Sequence, residues 1–589
     1  MARDRKPPPP AGNGPDWDRT VRLFQAGAPE FVDAIRQRVN APALATFAET
    51  WWTDPRIEAK RLLFNYLDLP FNAPRHEPLV KRLFKFADTT GDDAIMARFL
   101  VGFDRTIRRR RSTKQKYNYR SRSYEQYEAV TTPSDTTLSR DDRSYSGPWF
   151  SQNREQFTQG KFLFSVPTRN YLRRRAWRYF RKLGRKEPAR YIPAVCAALK
   201  LYTDADVPDG LALLDNWGLV HVLFHHSPTI VSKPAGWRVA DGGTLSRLQP
   251  DPMFRKLWLR SPEPIFDLLV TAKCRPVAMW AVQMLRKNFP DRLAQLTLDE
   301  MLAWVTAPNG ALNELALELL EARGGLEEVS VEQWLRITEE VRTDLLDRIC
   351  TMVERNVKPE QVTFASAVRL AMQRPVPLAR LGFAFLKGKK PRTQDELTAV
   401  FNLRNAEAEP LRADLVKWAC EALSGRTDFD PLWVLEFLDS RFEEVREIGW
   451  EWLQIEPRAR DAIQVWQRLL ESPYDNIRLR LVGMLEDRAK EPAGLTKFSP
   501  ERVRFLWATV LLNVHRGSRA KPFVVRQIID RLTDHPDEAG DLLPMVAVAL
   551  RSVRGPEFRV GLAGVAGFVA KNPTRKPLVE AVFPELQWN

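Results

Sequence analysis

Two segments of this 589-residue chain align without a gap at an offset of 32. They are LDSRFEEVREIGWEWL, from Leu438 to Leu453, and LESPYDNIRLRLVGML, from Leu470 to Leu485. In each, an acid follows the first Leu (Asp439, Glu471), and an apolar residue with an Arg comes some seven positions on. Those pairs are Val445 with Arg446 and Ile477 with Arg478, and apolar residues follow them at helical spacing. The same pair returns as Ala379 with Arg380, Leu411 with Arg412, Val525 with Arg526 and Phe558 with Arg559. Four and seven positions after the apolar member stand Phe383 and Leu386, Leu415 and Trp418, Ile529 and Leu532, Leu562 and Val565. Successive pairs lie 32, 34, 32, 48 and 33 residues apart, the long step spanning the turn-rich stretch EDRAKEPAGLTK. Weaker copies without the Arg begin at Val277 and Leu312. A period in the thirties holds two helices, a unit too small to bury its own apolar face, so neighbours must stack.

The pattern L-[DE]-x5-6-[VI]-R with apolar residues after it resembles the second helix of HEAT and armadillo-type repeats, over roughly residues 260 to 575. The resemblance implies an all-α fold, an α-solenoid of HEAT-like helix pairs. It also implies a ladder in which Asp439 pairs with Arg446 and Glu471 with Arg478. On that reading Arg380, Arg412, Arg446, Arg478, Arg526 and Arg559 occupy equivalent positions, most with an acidic or carbonyl partner. A fold of this kind says nothing direct about chemistry.

The rest of the chain fits around that array. Residues 1–16, with Pro7 to Pro10, read as a disordered tail. Residues 17–104 show helical patterns, and 251–589 form the repeat array. Residues 105–160 are rich in Arg, Ser, Thr and Tyr without helical periodicity, a long irregular basic insertion in the N-terminal third. Residues 161–250 resume with a basic helix from Thr168, for which Gly184 is the expected C-cap, then further helices and a loop at 227–250. Apolar residues at 44% supply cores throughout, which excludes wholesale disorder. Cys196, Cys274, Cys350 and Cys420 stand far apart and read as reduced, buried thiols of a cytoplasmic protein. The first residues hold no apolar core of a secretory signal, and no uninterrupted apolar stretch reaches the length of a membrane span.

A search for chemistry returns little. His221 and His225 share a helix face at i and i+4, but no HExxH forms and no Cys lies near in sequence. The expectation is that they pack at a helix end, with no metal bound. Phosphate-cradling GxxxxGK[ST] and GxGxxG loops and the GxSxG elbow are missing, and the acids are dispersed along amphipathic helices. Most of the 18 tryptophans, Trp418, Trp450 and Trp452 among them, are expected in inter-repeat packing. No catalytic residue, cofactor or small-molecule substrate is expected.

Charge is more informative. Nine basic residues and no acid lie between Arg105 and Arg122, and ten more without an acid between Lys161 and Lys186. The net charge is +16, so everything outside those segments sums to 16 − 19 = −3. The first segment mixes Arg108, Arg109, Arg110, Arg111, Lys114 and Lys116 with Tyr117 and Tyr119, cations for phosphate and rings for unpaired bases. In the second, Arg174, Arg178, Arg181 and Arg185 form a stripe at i, i+4, i+7 and i+11 of an amphipathic helix. These twelve residues are the candidate contacts for a partner or polyanion. The leading expectation is a non-enzymatic scaffold that takes a protein partner on its concave face. The alternative is a solenoid that binds the RNA or DNA backbone through residues 105–122 and 161–186.

Overall fold

In the computed structural model the described residues are 15–131, 163–233, 236–490, 498–513 and 519–587, with the side chains of 15, 110–112, 127–131, 489 and 490 outside that description. The expected tail therefore lies outside it, except that Pro15 and Asp16 open the first helix, Pro15–Gln25. Packed helices dominate, and they divide into two compact units, residues 1–324 and 325–589. No helix among the described residues is long and apolar enough to cross a membrane.

In the first unit, the helical patterns from Trp17 to Phe103 become six helices, the last being Asp93–Arg105. Phe24, Phe31, Phe47 and Trp51 seed its core with ring centroids 5.0 to 6.1 Å apart. Such aromatic clusters bury large areas in edge-on contacts. Asp92 caps its helix by accepting from the Ile95 N–H at 3.0 Å, and its other oxygen meets Lys60 Nζ at 2.8 Å, 32 residues upstream.

The insertion departs from expectation. Part of it is regular: an antiparallel hairpin of β1 (Arg110–Asn118) and β2 (Ser123–Thr131), with Tyr117 opposite Tyr124. The loop expected at 227–250 likewise holds a short ribbon, β3 (Ile230–Lys233) with β4 (Gly236–Val239). Residues 132–162 of the insertion lie outside the described residues.

The basic helix runs over Val166–Lys186 and does not stop at Gly184. Gly184 lies buried within it, because a Cβ there would stand 2.3 Å from Cε2 of Phe254, a ring held 4.9 Å from Tyr191. Glycine is needed for a close approach and not for a cap. Helix propensity favours Ala over Gly by about 1 kcal/mol, but forcing a methyl into a filled core costs roughly 1–3 kcal/mol. Gly184→Ala is therefore expected to destabilise the first unit. Gly483→Ala, in a helix where a Cβ meets nothing within 4 Å, is expected to stabilise the second. Urea midpoints of the two variants, moving in opposite directions, check this pair.

The second unit carries the repeated arginines. Arg412, Arg446 and Arg478 sit on the helices Glu409–Ser424, Glu443–Ile455 and Asp475–Lys490 and are buried. Each guanidinium donates to the carbonyl six residues upstream: Arg412 Nε to Ala406 O at 2.7 Å, Arg446 to Ser440 O at 2.8 Å, and Arg478 to Ser472 O. The acid-to-arginine pairs within each repeat are corrected accordingly. Arg446 meets a turn carbonyl and not the Asp439 carboxylate, and the carboxylate bonded by Arg478 is Asp475. Across the seam, Arg412 pairs with Glu444, 32 residues on, and stacks 3.6 Å from the Phe442 ring centroid, while Arg446 lies 4.0 Å from that of Tyr474. Arg380 is exposed and reaches Asp347 at 3.6 Å. Arg526 and Arg559 are also exposed and leave the ladder. Buried neighbours take the polar role there: Gln527 bonds Trp507 and the Val482 carbonyl, and Glu557 accepts from Ser552.

Candidate polyanion interface

The basic helix has two unlike halves. In the first, Arg169 and Arg173 fall on the same face as Leu172, Ala176, Trp177 and Phe180 and are buried. Arg169 donates to Thr106 O. Arg173 donates to Asp215 O and to Asn170 Oδ1, both at 2.8 Å. Burial pulls the Arg173 guanidinium down to about 10, against the pull of Asp104 and Asp215. Its countercharge Asp104 is wholly buried at the N-terminus of the helix Trp217–Phe224. That carboxylate accepts from Tyr202 Oη at 2.7 Å and from the N–H groups of Gly218 at 2.8 Å and Leu219 at 3.3 Å. Burial still lifts its carboxyl to about 6.

The same node anchors the hairpin. Asp215 accepts from the Arg109 backbone N–H at 2.7 Å and from Arg109 Nε, while Arg109 Nη1 reaches Trp237 O at 3.0 Å. Arg108 donates to Asp104 O at 3.0 Å, and Arg105 forms a two-pronged pair with Asp206 at 2.8 and 2.9 Å. Arg108 and Arg109 are thus engaged by groups of their own unit, with 30% of the Arg108 side chain and 9% of the Arg109 side chain left exposed. Arg174 is half-buried, its guanidinium 5.6 Å from the Trp217 ring centroid. Arg110 and Arg111 lie in β1, with their side chains outside the described residues.

What remains of the candidate set is exposed. On the helix these are Arg178, Arg181 and Arg185, joined by Lys182 and Lys186. None of the five pairs with a carboxylate among the described residues, whereas nearby Arg175 meets Asp88 at 2.8 Å and Arg190 meets Asp93 at 2.9 Å. Arg178 instead lies 5.7 Å from the Tyr171 ring centroid. On the hairpin, Lys114, Lys116, Tyr117 and Tyr119 are exposed, together with Arg120, Arg122 and Tyr124 near the turn. Lys182 and Lys186 flank the predicted arginine stripe, and helical counting from Arg185 was signal enough to include them.

Two of the clustered histidines bond each other. His221 Nδ1 and His225 Nδ1 are 2.7 Å apart, one donating to the other, and His221 stacks on Trp177 with centroids 4.9 Å apart. Burial, then the neighbouring histidine and arginines, push His221 down to about 2 and His225 to about 4. Among the described residues no group of three or more His, Cys, Asp or Glu is placed to hold a metal ion. The four cysteines are buried and unpaired with one another. Neither a protein-family model nor a curated protein matches the chain.

Proposed function

We propose that this chain is a non-enzymatic scaffold, an α-solenoid of HEAT-like repeats, whose first unit binds the backbone of a nucleic acid. The observation that carries the reading is the exposed end of the basic helix. Five cations there have no carboxylate partner among the described residues, although neighbouring arginines have one. Exposed cations left unpaired keep their full attraction for phosphate, and binding releases condensed counterions. The solenoid part is supported by side chains that bridge residues 32 or 33 apart, about one repeat. Examples are Lys60 with Asp92, Arg286 with Glu318, Arg404 with Glu436 and Arg480 with Glu447.

A protein partner is the second reading. It is favoured by exposed Phe505, Leu512 and Phe523 in the second unit, since stacked helix pairs commonly use such residues to anchor partners. Changing Arg178, Arg181 and Arg185 together to Gln separates the two. Each phosphate contact contributes about 0.7 to 0.9 to the slope of log affinity on log salt. The triple variant is therefore expected to flatten that slope by roughly two units with the urea midpoint unmoved, as read by anisotropy of a labelled oligonucleotide. An unchanged slope with lowered stability would overturn the nucleic-acid reading. A stoichiometric protein partner that survives nuclease treatment would favour the second.

A further inference from the structure

The hairpin is unusual for what it lacks. From Thr113 to Gln126 every side chain is exposed except that of Asn118, which is half-buried, so neither face of the ribbon is covered over this stretch. A two-stranded ribbon without a packed face is marginal in water. Local devices hold this one: Asn118 Oδ1 accepts from the Arg120 N–H at 2.9 Å, and Asn118 Nδ2 donates to Glu125 at 2.6 Å across the strands. Tyr117 and Tyr124 face each other with centroids 5.1 Å apart, and Tyr119 meets Tyr117 at 5.2 Å. Tyr119 is 86% exposed, Tyr124 69% and Tyr117 36%, so these rings pack on one another and on little else.

Charge surrounds the rings. Lys114, Lys116, Arg120 and Arg122 are all exposed, and the single acid among residues 113–126, Glu125, is occupied by Asn118 and Ser121. At its root the ribbon is fixed to Asp215, whose carbonyl also takes Arg173 of the basic helix. One buried residue thus ties the hairpin and the basic helix to the same point of the unit.

Resting on the nucleic-acid reading, we propose that the hairpin tip is a stacking platform for single-stranded nucleic acid. Tyr117, Tyr119 and Tyr124 take unpaired bases, while Arg120 and Arg122 near the turn meet the phosphates between them. Lys114 and Lys116, on the opposite face of the strand from Tyr117, add attraction at longer range. Base-to-aromatic stacking tolerates any sequence because every base has a face to offer. A duplex hides those faces in its own stack, and its backbone would use the cations while leaving the tyrosines idle. Binding also supplies the ribbon with the covering it lacks.

The test uses the full chain with fluorescein-labelled oligo-dT and oligo-U of about 15 nucleotides, and a duplex of equal length. The expected result is single-strand affinity at least 10-fold above duplex affinity. Changing Tyr117, Tyr119 and Tyr124 to Ser should lower single-strand affinity at least 10-fold with the salt slope unchanged. Tyr119→Ser by itself, in the turn and outside the strand pairing, should cost about 5-fold without disturbing the ribbon. Tyrosine variants within two-fold of the intact protein, or duplex binding as tight as single-strand binding, overturn the platform. In either case a salt slope that still depends on Arg178, Arg181 and Arg185 leaves the nucleic-acid reading standing. If no probe binds the intact protein, both fall.

Discussion

Asp104→Ala is expected to lower the unfolding free energy of the first unit by about 3–5 kcal/mol. The loss has two sources. Arg173 keeps its charge in a buried site but loses the carboxylate whose charge most favours it there, and a buried charge left without compensation is costly. Tyr202 Oη and the N–H groups of Gly218 and Leu219 also lose their acceptor at a buried helix N-terminus. Asp104→Asn keeps an acceptor of the same shape and should cost less. Urea unfolding followed by near-ultraviolet circular dichroism reads both, and an alanine variant within 1 kcal/mol of the intact protein would refute the account.

Mild acid is expected to destabilise the first unit by roughly 2 kcal/mol between pH 6.5 and 5.5. His76, held between Tyr66 Oη at 2.7 Å and Arg38 O at 3.0 Å, is pushed down to about 4 by burial. His221 and His225 are depressed to about 2 and 4. Each imidazole binds its proton more readily in the unfolded chain. Its contribution is therefore full above about pH 6.5 and is lost as pH falls toward the folded value. Asp104 opposes this. Its carboxyl, raised from 3.8 to about 6, is stabilising when protonated, and that contribution is lost as pH rises through 6. Three imidazoles outweigh one carboxyl, so the urea midpoint should fall with pH across this window. A midpoint that holds or rises would count against the buried neutral histidines.

Helices were legible because their apolar residues recur at the right period, and the repeat offset of 32 reappears as contacts such as Arg412 with Glu444. Where the ladder failed, the cause is local: in the repeats of Arg526 and Arg559 the buried polar position is filled by Gln527 and Glu557. The hairpin left no usable trace, because a strand is recognised by alternation between a buried and an exposed face, and over residues 113–126 both are exposed. Within the candidate site, charge runs concealed a division of labour. Arg169 and Arg173 lie four apart on the apolar face, which marks them as buried, while Arg178, Arg181 and Arg185 lie opposite. Arg108 and Arg109 could not be separated from Lys114 and Lys116 by composition, since their acids, Asp206 and Asp215, are about a hundred residues away.

Arg446 and Arg478 find their acceptors six residues upstream, within their own helix pair. Each block of 32 residues therefore carries both the buried cation and the carbonyl that satisfies it. Such a block can be copied or deleted in frame without stranding a charge in the core left behind. The joint to the next block uses an aromatic ring at the position of Phe442 or Tyr474, which a block of the same pattern brings with it. The acid Glu444 adds to the first of these joints alone, since Asn476 stands 32 residues on. Deleting or duplicating one such block in frame is therefore expected to leave the second unit folded, whereas the first unit, with Asp104 and Asp215 bonded to residues about a hundred positions away, is expected to lose its fold on such a change.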